Sequence, residues 1–345
     1  MNTLPLKQRH WGHLPSVDGV WLAFGLLLLA TLAASPRQAG DSLVFTLASL
    51  WQTAPYLLLS VAVAAWTRAS GADRSIARAF NGRPVTMVVT AAAFGALSPF
   101  CSCGVIPLIA ALLGMGVPLA PVMAFWLASP VIDPPMFILT AGLLGAGFAL
   151  AKTLAAIGLG LAGGFVTLAL VHAGRLADPL RPGVGGGCGT PFVASGPLAW
   201  AFWHHADRRA RFAREARSTT LFLGKWLSLA FLLESLMLTY VPADWIAGGI
   251  GGDGLLPILA ATLVGVPAYL NGYAALPLVS GLIEQGMAPG AGLAFLVAGG
   301  VTSLPAAMAV FALVRVRVFV LYLALSLAGS FAAGLLYQQW LAPVG

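Results

Sequence analysis

The stretch between Val85 and Ala151 constrains the fold most, because Asp133 is its only charged residue. A soluble chain needs a charged surface, so a segment of this length without one is expected to lie in a membrane. Two prolines and a glycine nevertheless interrupt it between Ser98 and Pro107, where a continuous helix would otherwise run. Backbone released from helical hydrogen bonding is too costly to expose to lipid. The break therefore predicts a site lined by protein, water or a bound solute.

The composition of the whole chain supports a membrane protein. Of its 345 residues, 59% are hydrophobic and 8% are charged, against about 25% charged in soluble domains. The arginines behind the net charge of +7 lie between apolar spans and form no basic domain, so nucleic acid is not an expected partner. Three cysteines predict no disulfide framework. We expect a multi-pass protein of a bacterial-type inner (plasma) membrane, with a retained first helix and a cytoplasmic N-terminus.

Four apolar pieces after residue 84 are unusually short. Each has about 12 to 15 residues, or about 20 Å as a helix, which is too short to cross the hydrocarbon alone. They occupy residues 85–98, 104–115, 119–129 and 135–149, and a longer span at 153–172 follows. These pieces predict half-helices or re-entrant hairpins whose ends, at Cys101, Cys103 and Asp133, meet near the midplane.

The second half of the chain repeats the first. A shift of 170 residues aligns prolines and glycines of the two halves, among them Pro107 with Pro277 and Gly116 with Gly286. The loop before the first broken region carries four arginines, whereas its counterpart carries two aspartates and no cation. The loops after the broken regions reverse this pattern. The loop of the second half carries two arginines, whereas the equivalent loop of the first half carries only Lys152. Opposite loops are thus basic in the two halves, which indicates inverted-topology repeats.

The predicted fold is an all-α polytopic membrane protein with two inverted-topology repeats, whose broken or re-entrant helices meet at the midplane. Residues 1–42 would form the N-terminal segment and first transmembrane helix, and residues 43–172 the first repeat with the Pro-Phe-Cys-Ser-Cys break. Residues 173–217 would be a basic cytoplasmic connector with an interfacial helix, and residues 218–345 the second repeat.

Several of these residues also carry a family resemblance. The chain resembles the permease family that includes the ArsP-type efflux transporters of trivalent organoarsenicals, from about residue 43 to the C-terminus. The resemblance implies an inner-membrane efflux permease, and relatives have been linked both to organoarsenicals and to divalent metals. The similar motifs are Pro99-Phe100-Cys101-Ser102-Cys103 with Gly104 and Pro107, Gly116-Val117-Pro118, Ala124-Phe125 with Ala128-Ser129-Pro130, Asp133-Pro134-Pro135, Asn271-Gly272-Tyr273 and Gly286-Met287.

The residue types at the break suit a soft solute. Trivalent arsenic, Zn(II) and Cu(I) bind thiolates, but Cys101 and Cys103 would point about 160° apart on a helix and converge only on extended backbone. The flanking Pro99 and Pro107 make an extended segment plausible, which favours a substrate or metal ligand role for both thiols. The alternative is that they are small side chains that ease helix packing.

The remaining candidates for substrate binding are polar residues near the two breaks. Asp133 is a functional candidate as an intramembrane acid, although an aspartate before a proline is also a good helix N-cap, and Ser303 occupies the equivalent position of the second half. Asn271 and Tyr273 stand where Cys101 and Cys103 stand in the first half. These two residues would either line an asymmetric site or make the hydrogen bonds that close the second break.

Proton coupling has two candidate residues, Asp133 and Glu234. Glu234 lies in the middle of an apolar span, where an unpaired carboxylate is expected to be neutral, and Lys225 is expected to extend to the membrane surface and not to pair with it. No Walker-type phosphate loop is present, so we expect no nucleotide cofactor, and indeed no cofactor of any kind. The apolar core contains no histidine before His172 and no recognisable catalytic set, so we predict that the protein is not an enzyme.

Taken together, these features predict a membrane permease that exports a small soft solute, either a trivalent organoarsenical or a heavy-metal ion, through a midplane site lined by cysteines. The alternative is a proton-coupled carrier of an unrelated small organic solute, for which the thiols would be incidental. The expected partners are the small-molecule or metal-ion substrate and membrane lipid, and the sequence leaves open whether the chain forms a homo-oligomer.

Overall fold

The computed structural model describes residues 18–70, 82–98, 105–176, 179–181, 202–240, 254–268 and 272–341. These parts of the chain are helical, apart from one isolated bridge between Leu180 and Val314 and the short connections between helices. A 3₁₀ turn, Phe202–His204, precedes the eighth helix. The α-helices are α1 (Gly19–Ala34), α2 (Pro36–Ser70), α3 (Pro84–Leu97), α4 (Val105–Gly114), α5 (Leu119–Ala128), α6 (Pro134–Leu144), α7 (Ala146–His172), α8 (Ala206–Tyr240), α9 (Leu255–Ala268), α10 (Gly272–Glu284), α11 (Pro289–Thr302), α12 (Leu304–Leu313) and α13 (Val316–Leu341).

The described helices differ widely in length. Within the described residues, four stretches are long and apolar enough to cross a membrane: α7, most of α8, the run formed by α11 and α12, and α13. A fifth is added if the two parts of α2, bent by 45° after Pro55, are one span. The other apolar helices have 10 to 17 residues, so they are too short to span the hydrocarbon alone.

The predicted short pieces of the first half are present as α3, α4, α5 and α6, and the boundary after them differs from the prediction. α6 ends at Leu144, and Gly145 turns the chain at a φ of 91°, a conformation that glycine adopts without strain. The following span then begins at Ala146, not at residue 153. Lys152, predicted to lie in a loop, is therefore inside α7.

The helices recur along the chain at the offset that the sequence predicted. α2 and α8 begin at residues 36 and 206, α5 and α11 at 119 and 289, α6 and α12 at 134 and 304, and α7 and α13 at 146 and 316. Packing recurs too, because a methyl group added at Gly95 would lie 2.7 Å from the Phe125 carbonyl oxygen, and one added at Gly265 would lie 2.7 Å from that of Phe295. Whether the second half is inverted across the membrane stays a prediction.

The arginines at the end of the connector belong to the long helix α8 and do not form a separate interfacial helix. α8 runs without a break from Ala206 to Tyr240, so its arginine-rich first turns continue directly into its apolar span. Arg208 donates to the carbonyl of Ser70 at 2.9 Å, which satisfies an orphan carbonyl at the C-terminus of α2. Lys225 pairs with Asp18 at the start of α1, and its ammonium lowers the pKa of that carboxyl below the usual value.

A short piece of the connector pairs with the turn between α12 and α13. The Arg181 amide donates to the Leu313 carbonyl at 3.1 Å, and the Arg315 amide donates to the Pro179 carbonyl at 3.0 Å. The Arg181 side chain adds a bond from Nε to the Val314 carbonyl at 2.9 Å. We call residues 179–181 the clip, because they fasten the connector to this turn.

Candidate functional site

Two buried serines bring the two breaks of the first half together. The hydroxyls of Ser98 and Ser129 lie 3.2 Å apart and form a hydrogen bond. Ser98 ends α3 immediately before Pro99, and Ser129 ends α5 four residues before Asp133. The bond therefore holds the C-terminal end of α3 beside the segment that leads to Asp133. Sequence analysis missed this pair, since serines 31 residues apart carry no pattern.

Asp133 begins the half-helix α6. Its Oδ1 accepts a hydrogen bond from the Met136 amide at 2.7 Å, and Pro134 follows at the first helical position. This is the N-cap arrangement that the sequence predicted, and it suits a carboxylate because helix N-terminal amides attract negative charge. The residue is half-buried. Its cap role is thus confirmed, and a role in substrate binding or proton coupling stays a prediction.

Lys152 is the main functional candidate that the sequence analysis missed. Its side chain is completely buried within α7, and among the described residues its only hydrogen-bond partner is the Met136 sulfur, at 3.1 Å. Asp133 is near enough to attract the ammonium electrostatically. One signal was available in the sequence: Lys152 is the first cation after an apolar stretch whose only other charge is an acid.

In the second half, different side chains occupy the positions equivalent to Asp133 and Lys152. Ser303 is buried at the start of α12, as Asp133 starts α6, but its side chain makes no capping hydrogen bond. Tyr322 occupies the position equivalent to Lys152. It is fully buried, its hydroxyl donates to the Val301 carbonyl, and its ring stacks on Trp126 of the first half at 4.8 Å between centroids. The second half thus has a neutral phenol at the position where the first half has the lysine ammonium.

The short helices of the two halves contact each other in crossed pairs. α4 packs against α12, and α6 packs against α10. α4 begins two residues after Cys103, and α10 contains Tyr273 in its first turn. The side chain of Tyr273 and the whole of Cys101, Cys103 and Asn271 lie outside the described residues, so their roles stay predictions.

Glu234 lies on another helix, in a buried stretch of α8. Its side chain is only 3% exposed, and its Oε2 has no hydrogen-bond partner within the part of the chain that the structure describes. α8 packs mainly on α2 and also on α12. The next residue, Ser235, donates to Ser42 at 3.0 Å, so a polar contact joins α8 and α2 beside it in the sequence. A buried carboxyl group within a membrane span is a functional candidate by default, and a role of Glu234 in proton coupling stays a prediction.

Within the ranges that the structure describes, no three histidine, cysteine or acidic side chains are grouped to hold a metal ion. His204 and His205 are exposed near the start of α8. The described residues therefore offer helix ends, a carboxylate and an ammonium for binding a solute.

Comparisons with known proteins identify the family. The profile of the ArsP_1 family, described as a predicted permease, matches residues 38–339. The chain is 34% identical over 85 residues to the UPF0718 protein YcgR of Bacillus subtilis (strain 168), a stretch that covers 25% of this chain and 29% of YcgR. No solved structure matches significantly. Because the profile covers most of a chain with several candidate membrane spans, the protein belongs to the ArsP_1 family of predicted permeases and is a multi-pass membrane protein.

Proposed function

We propose that this permease exports a small soft solute, a trivalent organoarsenical or a heavy-metal ion, through a midplane site between two inverted repeats. The observation that carries the proposal is the crossed packing of short helices, α4 on α12 and α6 on α10. Half-helices that meet from two repeats form the solute sites of many transporters, because their free termini present backbone dipoles where lipid cannot reach. The proposed lining residues are Cys101, Cys103, Asp133, Asn271, Tyr273 and Ser303.

The thiols are the part of this site that would select a soft solute. The bond between Ser98 and Ser129 supports their proximity to Asp133, because it holds the residue before Pro99 beside the segment that leads to α6. Thiolates prefer trivalent arsenic and soft metal ions over hard cations. A carboxylate and a helix N-terminus beside them would orient the hydroxyl groups of an arsenical or contribute to the binding of a metal ion.

The test is uptake into everted membrane vesicles, in which export appears as accumulation. Methylarsenite, Zn(II) and Cu(I) would be compared for the wild type and for a Cys101→Ser/Cys103→Ser variant at equal expression, with Cys188→Ser as the matched control. We expect accumulation of at least one solute, retained in the control and lost in the double variant. If a folded, inserted protein accumulates none of the three, the soft-solute proposal is wrong. Retained transport in the double variant would remove the thiols from the site.

A second function has its own supporting observation. Among the described residues, the buried Oε2 of Glu234 has no hydrogen-bond partner. This favours a proton-coupled carrier of an unrelated small organic solute, with Asp133 as the other coupling candidate. For such a carrier the cysteines are incidental, so transport would be insensitive to thiol-blocking reagents. In either case the N-terminus is proposed to be cytoplasmic, with the basic 173–217 connector on the same side.

A further inference from the structure

Lys152 lies in a place that disfavours a positive charge. It is completely buried in α7, and its Nζ contacts the Met136 sulfur in the first turn of α6. A thioether is a weak acceptor that compensates little of the hydration an ammonium loses. The N-terminus of α6 adds repulsion, since the positive end of a helix dipole favours anions. The surrounding fold therefore raises the free energy of a charged Lys152 unless an acid offsets it.

Among the described residues of the helices packed on α7, Asp133 is the only acid that can offset the positive charge of Lys152. Those helices are α3, α5, α6, α11 and α13. α3, α5 and α11 contain no charged residue, and α13 contributes only Arg317, in its exposed first turn. Asp133 caps α6 three residues before Met136 and attracts the ammonium. Among the described residues of these helices, Lys152 and Asp133 are thus two opposite charges in an otherwise apolar environment.

We propose that Lys152 is a positioning residue that balances the charge of Asp133, so that this side of the site has no net charge and takes an uncharged solute in preference to a divalent cation. The proposal rests on the proposed function, in which Asp133 lines the solute site. Without Lys152, the Asp133 carboxylate would lack this balancing charge and would attract cations. The second half needs no such balance, because Ser303 and the equivalent Tyr322 are both neutral.

The experiment is a double-mutant cycle on the full-length protein in everted vesicles. The variants are Lys152→Met, Asp133→Asn and the two combined, with Lys152→Arg as the conservative replacement. Asparagine caps a helix as well as aspartate does, so the start of α6 is retained. Methylarsenite, which is an uncharged hydroxide at neutral pH, and Zn(II) serve as probes at the same external pH.

We expect Lys152→Met to lower methylarsenite uptake by at least about tenfold and to raise the ratio of Zn(II) to methylarsenite uptake, because it removes the positive charge that balances the Asp133 carboxylate. The combined variant should return this ratio toward the wild-type value, because neither charge then remains, and Lys152→Arg should keep the wild-type ratio. If the lysine only fills space, the effects of the two single changes on the ratio should simply add in the combined variant. A ratio that is unchanged in Lys152→Met, or that stays raised in the combined variant, overturns the proposal.

The unfolding midpoints of the purified proteins separate this proposal from the proposed function. If the wild type transports neither probe, the soft-solute function fails, and the midpoints alone then decide whether the charges balance each other. A combined variant that unfolds at a higher temperature than either single variant supports charge balance. Additive losses in midpoint overturn it.

Discussion

Replacing Gly95 by alanine tests the close approach of α3 and α5 that precedes the first break. The added Cβ would lie 2.7 Å from the Phe125 carbonyl oxygen and 3.2 Å from its Cα, whereas ordinary contacts begin at 3.4 Å. The closest atom belongs to the backbone of α5 and the next is the Ala128 Cβ at 3.0 Å, so no flexible side chain can move aside. The two helices would have to separate by roughly the 0.7 Å between 2.7 and 3.4 Å.

Overpacking of this kind costs about 2 kcal/mol, or roughly a 30-fold fall in the folding equilibrium constant. Gly158→Ala is the matched control, because a Cβ at this exposed position of α7 meets nothing within 4 Å. Both variants gain the same helix propensity, so the difference between them isolates the clash. Gly265→Ala should cost about as much as Gly95→Ala, since it meets the Phe295 carbonyl oxygen at 2.7 Å.

The assay is the free energy of unfolding by sodium dodecyl sulfate titration in mixed micelles, with helicity measured by circular dichroism. Transport by the same variants would show whether the strain reaches the site at Ser98. If Gly95→Ala is as stable as Gly158→Ala, the close approach of α3 and α5 is wrong. A large cost at Gly95 with none at Gly265 would show that the two halves do not pack alike.

Three further predictions concern buried polar groups. Ser98→Ala and Ser129→Ala should each cost about 1 to 2 kcal/mol, and the double variant little more than either, because one bond joins the hydroxyls; additive losses in unfolding free energy would contradict this. Tyr322→Phe should cost about 1 to 2 kcal/mol by leaving the Val301 carbonyl unsatisfied while the ring stacking remains, and an unchanged unfolding free energy would count against that bond. Glu234→Gln should abolish uptake that is driven by an imposed proton gradient, because the amide cannot exchange a proton, but it should leave substrate counterflow unchanged. Proton-driven uptake equal to that of the wild type would exclude Glu234 from proton coupling.

The short helices could be predicted from the sequence because their limits are local. Proline and glycine limit helices whatever the chain packs against: Pro134 begins α6, and the sequence break between Ser98 and Pro107 predicted that α3 and α4 are separate helices. The N-cap at Asp133 follows from the same local chemistry. Even so, the turn between α6 and α7 was misplaced, since Gly142, Gly145 and Gly147 are close together and only Gly145 takes the positive φ. Composition alone does not choose among three glycines.

The contacts that build the site depend on packing and could not be predicted in this way. A lysine after an apolar piece ordinarily reaches water, and Lys152 is buried because α6 folds back on α7 after Gly145. The bond from Ser98 to Ser129 depends on how α3 meets α5, which no local pattern encodes. Ser303 shows the reverse case: it stands at a helix start as expected but makes no capping bond, so sequence equivalence with Asp133 does not extend to chemistry.

The clip at residues 179–181 has a consequence for how the two halves stay joined. Four hydrogen bonds tie it to the turn between α12 and α13, two between backbone groups and two from the side chains of Arg181 and Arg315. The clip, which follows the first half in the chain, is therefore hydrogen-bonded to the second half as well as covalently linked to it. If the chain is divided after residue 181, the clip and the turn lie in different fragments, which could reassemble through these hydrogen bonds. If it is divided before residue 179, the clip and the turn lie in the same fragment, and their hydrogen bonds do not connect the two fragments.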